Sequence, residues 1–166
     1  MSVEMGKHAV LSDDGLYRYS LLREWEAGKP SMTFVMLNPS TADASVDDPT
    51  IRRCIAFARR EGCGQLLVFN LYAWRATDPK ALARAADPVG EENDVFLRGH
   101  FLVKAEFGEP VVAAWGANAG PDRVAQVRAL VPGVEFVCLG ETKDGHPRHP
   151  LYVRGNQPLV PWGVAS

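Results

Sequence analysis

Side chains with chemistry to offer cluster in short polar runs along this 166-residue chain. The first run, Asn38-Pro39-Ser40-Thr41-Ala42-Asp43, follows the apolar stretch Phe34 to Leu37 and leads on to Asp47 and Asp48. An asparagine amide has no lone pair basic enough for general-base work. It accepts from a water and donates to a carbonyl, so Asn38 is suited to positioning reactants. Ser40 and Thr41 add hydroxyls and nearby backbone N–H groups suited to a phosphate or a base edge. Asp43, Asp47 and Asp48 are the candidate carboxylates. Asp48 has a structural use as well, because it precedes Pro49 and can N-cap a helix there. Capping explains Asp48 and part of Asp47, and leaves Asn38 and Asp43 without a structural reason.

The second run begins at Asn70, which ends the apolar stretch Gln65–Asn70. Two asparagines at adjacent strand ends, facing one crevice, make a recognition pair for an amide-like ligand edge; a lone one more often caps its own loop. Tyr72, Trp74 and Arg75 follow. A flat ring could stack on this run, and Arg75 could meet a phosphate or carboxylate; for Trp74 alone, partial core packing is the plainer use. The third run, Gly145-His146-Pro147-Arg148-His149-Pro150, carries two histidines. A histidine beside proline in a stiff loop fills a core poorly, so one of this pair is expected in the site, with Arg148 beside it. His8 and His100 lack such context and are expected at the surface. No third histidine or cysteine stands at ligand spacing, so neither zinc nor another cofactor is expected. The sequence has no nucleophile elbow, phosphate-binding lysine loop or dinucleotide fingerprint.

The elements that must hold these runs are well marked. Asp48-Pro49 starts a helix that Gly62 ends, with Ile51, Cys54, Ile55 and Ala58 recurring on one face. Asp78-Pro79 starts another, and a longer amphipathic helix is predicted from about Glu91 to Phe107. A further helix lies between Gly120 and Gly133. Apolar runs at Thr33–Leu37, Gln65–Asn70, 110–116 and 134–140 read as buried strands. Residues 17–37 read as a strand or hairpin turning near 26–31. Strands apolar on both faces, alternating with helices, predict an α/β protein: a three-layer α/β/α fold on a central, mostly parallel four-stranded sheet. The expected organisation is one domain over 1–166, with an N-terminal hairpin or extension (1–31) and the α/β/α core (32–166). Such sheets bind ligands beyond the carboxyl ends of their strands, where all the polar runs fall.

Hydrophobic residues make up 46% and charged residues 23%, an ordinary globular balance that argues against disorder. A formal net charge of −2 supplies no global basic field for nucleic acid or anionic lipid, though a local patch could serve. No secretory signal or membrane-length apolar run is visible, and Cys54, Cys63 and Cys138 read as free thiols in apolar surroundings. A cytoplasmic protein is expected, with no membrane partner.

The motifs Met36-Leu37-Asn38-Pro39-Ser40-Thr41-Ala42-Asp43, 47–54, 70–79 and 145–152 closely resemble the family known as domain of unknown function 1643, over nearly the whole chain. The order of loops also resembles the uracil-DNA glycosylase superfamily. There the first strand ends in a water-positioning motif, matched here by Leu37-Asn38-Pro39-Ser40. A base-reading asparagine follows another strand, matched by Leu67-Val68-Phe69-Asn70-Leu71. A later strand ends in Trp-Gly, as in Ala114-Trp115-Gly116-Ala117, and a final histidine motif is nearest to Arg148-His149-Pro150-Leu151-Tyr152.

That resemblance implies an N-glycosylase-like hydrolase binding a modified or damaged nucleobase, in the manner of DNA repair. Asn38 would place the attacking water, with Asp43, Asp47 or Asp48 as carboxylate help. His149 would stabilise charge growing on the base, Asn70 would hold the base edge, and an aromatic such as Tyr72 would stack on it. The partner would be nucleic acid or another nucleobase-containing ligand. Two departures widen the choice of substrate. The 39–48 loop is acidic, and His149 follows Pro147-Arg148 where the superfamily has a Pro-Ser-Pro loop after its histidine. A metal-free enzyme acting on a free nucleoside or nucleotide, and a non-catalytic module recognising a modified base, are the alternatives.

Overall fold

The computed structural model describes residues 6–40 and 45–163. Thr41 and Asp43 therefore lie outside the described residues. Seven strands form one mixed sheet: β1 (Gly6–Leu11), β2 (Arg18–Glu24), β3 (Ser31–Met36), β4 (Gln65–Asn70), β5 (Val111–Ala113), β6 (Phe136–Cys138) and β7 (Val160–Pro161). Their spatial order is β1-β2-β4-β3-β5-β6-β7. The pairs β4–β3, β3–β5 and β5–β6 are parallel, whereas β1–β2, β2–β4 and β6–β7 are antiparallel. Marginal antiparallel strands thus enlarge the expected four-stranded sheet to seven.

The N-terminal hairpin is displaced from its predicted place. Its turn spans Ser12 to Tyr17, where the Ser12 N–H donates to the Tyr17 carbonyl at 3.0 Å. The predicted turn near 26–31 does not close a hairpin, because β4 lies between β2 and β3. Strand β2 runs antiparallel to β4, so its first residue, Arg18, arrives at the edge where β4 ends; the Arg18 N–H donates to the Ala73 carbonyl at 3.0 Å.

Side chains alternate across a strand, and β3 shows the consequence. Met32, Phe34 and Met36 pack with Ile51, Cys54, Ile55 and Ala58 of helix α1 (Pro49–Arg60) on one face. Val35 packs on the other face with Leu97 and Phe101 of α3 (Asn93–Glu106) and Val127 of α4 (Pro121–Arg128). A short α2 (Pro79–Arg84) starts at Asp78, whose carboxylate accepts from the Lys80 N–H. Full burial of Phe34 or Leu97 contributes about 1.5–3 kcal/mol each, so both faces stabilise the same sheet. No helix among the described residues is long and apolar enough to cross a membrane.

Helix α1 begins as the sequence predicts. Asp48 is extended at the N-cap and accepts from the Ile51 N–H at 2.8 Å, Pro49 opens the first turn, and Gly62 follows with φ 76°. The predicted surface position of His100 is corrected. Its Nε2 lies 2.7 Å from Thr33 Oγ1, and its ring stacks on Phe69 at 4.7 Å. Burial chiefly, with help from the Lys104 charge, depresses its pKa to about 4. Cys54 and Cys138 are buried free thiols, each pushed up by desolvation.

Candidate functional site

A cavity of about 590 Å³ opens at the carboxyl ends of the parallel strands, lined among others by Asn38, Asp48, Asn70, Trp115, His149 and Arg18. Each parallel strand delivers one group. Beyond β3 comes Asn38, β4 ends in Asn70, and Trp115 with Gly116 follow β5. The loop after β6 carries Thr142, Arg148 and His149.

Asn38 is held in one orientation. Its Nδ2 donates to the Ala76 carbonyl at 2.8 Å and to the Pro39 carbonyl at 3.1 Å. With the donors engaged by backbone, the acceptor Oδ1 is the group left for a ligand or water. Ser40 Oγ donates to Asp48 Oδ2 at 2.8 Å, while Asp48 Oδ1 carries the helix cap. The Asp48 carboxylate thus ties the Asn38 loop to α1 and lines the cavity as well.

Asn70 is 1% exposed, and its Nδ2 has no hydrogen-bond partner. Nearly all buried polar groups in proteins are satisfied, so an amide donor buried in a cavity wall is a candidate for ligand recognition. Asn93 supports the strand end from behind, its Nδ2 donating to the carbonyls of Asn70 at 3.0 Å and Leu71 at 3.2 Å.

His149 N-caps a short 3₁₀ turn, Pro150–Tyr152, by accepting the Leu151 N–H on Nδ1 at 3.2 Å. That bond puts the proton of the neutral ring on Nε2. Burial lowers the His149 pKa and the Asp48 carboxylate opposes the shift, so the ring is neutral at pH 7. The loop is fixed at two further points: Gly116, at φ 77°, donates its N–H to the Pro147 carbonyl at 2.9 Å, and Arg53 Nε reaches the Pro150 carbonyl at 3.2 Å.

Of the residues singled out by sequence, Asn38, Ser40, Asp48, Asn70, Arg148 and His149 meet in this cavity. Tyr72 does not. It lines a neighbouring cavity of about 200 Å³ with Leu82 and Pro88, and its hydroxyl accepts from the Gly120 N–H at 3.2 Å. Arg75 lies outside both linings and donates to the Gly15 carbonyl at 3.0 Å. The aromatic surfaces in the cavity come instead from buried Trp115 and from Tyr152, which is 79% exposed. Sequence reasoning placed Trp115 only within a resemblance and missed Arg18 and Tyr152 as site residues. No group of three or more His, Cys, Asp or Glu side chains among the described residues could hold a metal ion.

The model of the family described as a protein of unknown function, DUF1643, matches residues 18–151. The chain belongs to that family. The DUF1643 match begins at the cavity arginine, Arg18, and ends one residue past Pro150, so it takes in both asparagines and His149. No curated protein matches the chain.

Proposed function

We propose that this DUF1643 chain binds a nucleobase in the 590 Å³ cavity and hydrolyses its N-glycosidic bond. The observation that carries the proposal is the buried, unpartnered Nδ2 of Asn70, set in one cavity with a fixed Asn38 acceptor and a neutral His149. The resemblance of the Asn38, Asn70, Trp115 and His149 motifs to the uracil-DNA glycosylase superfamily supports the same reading.

The chemistry follows from what each group can do. Asn70 Nδ2 donates to a carbonyl of the base. Asn38 Oδ1 accepts from a water and aims its oxygen at the anomeric carbon. The C–N bond breaks as that oxygen adds, and its electron pair passes to the base nitrogen. His149 Nε2–H donates to the base oxygen on which the negative charge collects, a stabilisation that grows toward the transition state. The water's surplus proton goes to the Asp48 carboxylate and then to the departing base. Free base and a sugar with a new hydroxyl result.

The test is product release from nucleosides and from single-stranded and duplex oligonucleotides carrying uracil or modified bases, read by mass spectrometry. Free base, lost in Asn38→Ala, is the expected result. Ligand binding without release would favour a recognition module. One observation points that way: both Asp48 oxygens already accept protein hydrogen bonds. Absence of binding to any of these probes would overturn the proposal.

A further inference from the structure

Helix α3 is apolar on two opposite faces. Leu97 and Phe101 are buried against the sheet, while Val95, Leu102, Val103 and Phe107 are exposed, Val95 by 72% and Phe107 by 70%. A surface helix ordinarily turns a polar face to water, and one that is apolar all round lies between two layers. The exposed positions recur at i, i+3, i+4, i+7, i+8 and i+11 from Val95 to Glu106, one continuous stripe that Phe107 ends. Gly99 lies within it. Glycine weakens a helix interior, yet among the described residues nothing beyond the local helix backbone comes within 4 Å of where its β-carbon would stand. Packing within the chain gives no reason for that gap; a side chain arriving from outside does.

The charges on the stripe say which partner fits it. Arg98 and Glu106 are exposed and stand eight residues apart, as Gly99 and Phe107 do. A twofold axis crossing the helix between Leu102 and Val103 lays a second α3 antiparallel on the first. It brings Arg98 level with the other copy's Glu106 to within one residue, about 1.5 Å of rise. Phe107 meets the level of the other copy's Gly99 to the same margin. Both pairs form twice, because in a twofold interface residue i meets j and j meets i. A parallel copy in register would set like charges side by side. The stripe is thus complementary to itself in one orientation.

We propose that the outer face of α3 docks a second copy of this chain, antiparallel about Leu102 and Val103. Phe107 enters the hollow at the other copy's Gly99, and the Arg98–Glu106 pairs at the rim set the orientation. A single helix pair buries less than the roughly 1,600 Å² of a standard interface, so the dimer is weak and depends on concentration. None of the stripe residues lines the 590 Å³ cavity, and the inference stands apart from the reading of that site.

Sedimentation velocity of the full chain at low salt, from about 1 to about 300 μM, tests the surface. The wild type is expected to pass from monomer to dimer over that range. Leu102→Asp should stay monomeric throughout, and circular dichroism should show its fold unchanged because Leu102 is exposed. Arg98→Glu sets acid against acid and should weaken the dimer at least about threefold. Adding Glu106→Arg to it should restore the dimer, a rescue that loss of fold could not produce. A wild type monomeric over the whole range would overturn the proposal and leave the stripe to a different partner. A dimer that survives Leu102→Asp would place the contact on another face. One indifferent to Arg98→Glu would overturn the antiparallel pairing.

Discussion

Arg53, on the first helix, donates to the carbonyl of Pro150, 97 residues later, and to that of Val153. Its guanidinium also lies 5.0 Å from the Phe57 ring centroid. The carbonyls of the first residue of the 3₁₀ turn and of its C-cap are thus clamped from α1, and the turn carries His149 at its N-cap. Arg53→Gln should cost about 1.5–3 kcal/mol by urea denaturation, the range for a hydrogen bond to a charged group. It should also slow base release more than it weakens binding, because the histidine donor loses its fixed direction. Unchanged turnover in a destabilised Arg53→Gln would restrict the clamp to stability.

Asp48 combines two roles that substitution can separate. Asparagine is as good an N-cap as aspartate, while alanine at such positions costs about 0.5–2 kcal/mol. Asp48→Asn should therefore hold stability within about 0.5 kcal/mol of wild type, and Asp48→Ala should not. In the proposed hydrolysis Asp48 is the acceptor of the water's proton, so both variants should lose turnover. Full activity in Asp48→Asn would remove Asp48 from the chemistry.

The parts of this architecture legible in the sequence are those written locally. Asp48-Pro49 announces a helix start through side-chain chemistry within four residues, and the structure has the cap in place. Asn38 and Asn70 stand where apolar strands stop, and parallel pairing brings their ends to one edge. What was not legible depends on partners distant in the chain. Strand β1 is largely exposed and β7 is two residues long, so neither has a buried periodicity to read. Insertion of β4 between β2 and β3 is a long-range choice, and the antiparallel β2–β4 pairing brings Arg18 to the cavity. His100 looks like a polar helix residue until Thr33, 67 positions earlier, closes on it. Tyr72 lines the neighbouring cavity, and the Gly120 N–H that donates to its hydroxyl comes from 48 residues later.

Acid should destabilise the protein in a defined window. His100 has its pKa lowered from 6.5 to about 4 by burial first and Lys104 second, with Glu109 opposing. His149 is lowered too, by burial against the pull of Asp48. For a histidine held neutral by the fold, the unfolded chain binds more protons below 6.5, so stability is full above that pH and falls as pH drops toward 4. Urea midpoints across that window should decline in wild type and decline less steeply in His100→Gln, which keeps a partner for the Thr33 hydroxyl. Base release should follow His149 instead, persisting at pH 7 and failing in acid even in His100→Gln. A wild-type midpoint flat from pH 7 to 4.5 would contradict both assignments.

Asn70 offers the sharpest contrast between stability and function. A buried amide with an unpartnered Nδ2 makes no hydrogen bond that substitution could break at that atom, and its desolvation, about 1–3 kcal/mol, is uncompensated without ligand. Asn70→Leu, close in volume, removes that cost and adds apolar contact in a wall shared with Met36 and Val68. The variant should melt no lower than wild type, and by this reasoning higher, whereas most replacements of buried polar residues destabilise. Ligand affinity should fall about 10- to 100-fold, the loss expected when a site built to donate to a carbonyl no longer can. Thermal melts without ligand and titration with it measure the two effects on one preparation. A clear loss of stability in the free protein would mean that Nδ2 finds a partner in solution and that the donor is structural. A raised melting temperature with lost affinity would mark Asn70 as a residue kept for the ligand at the expense of the fold.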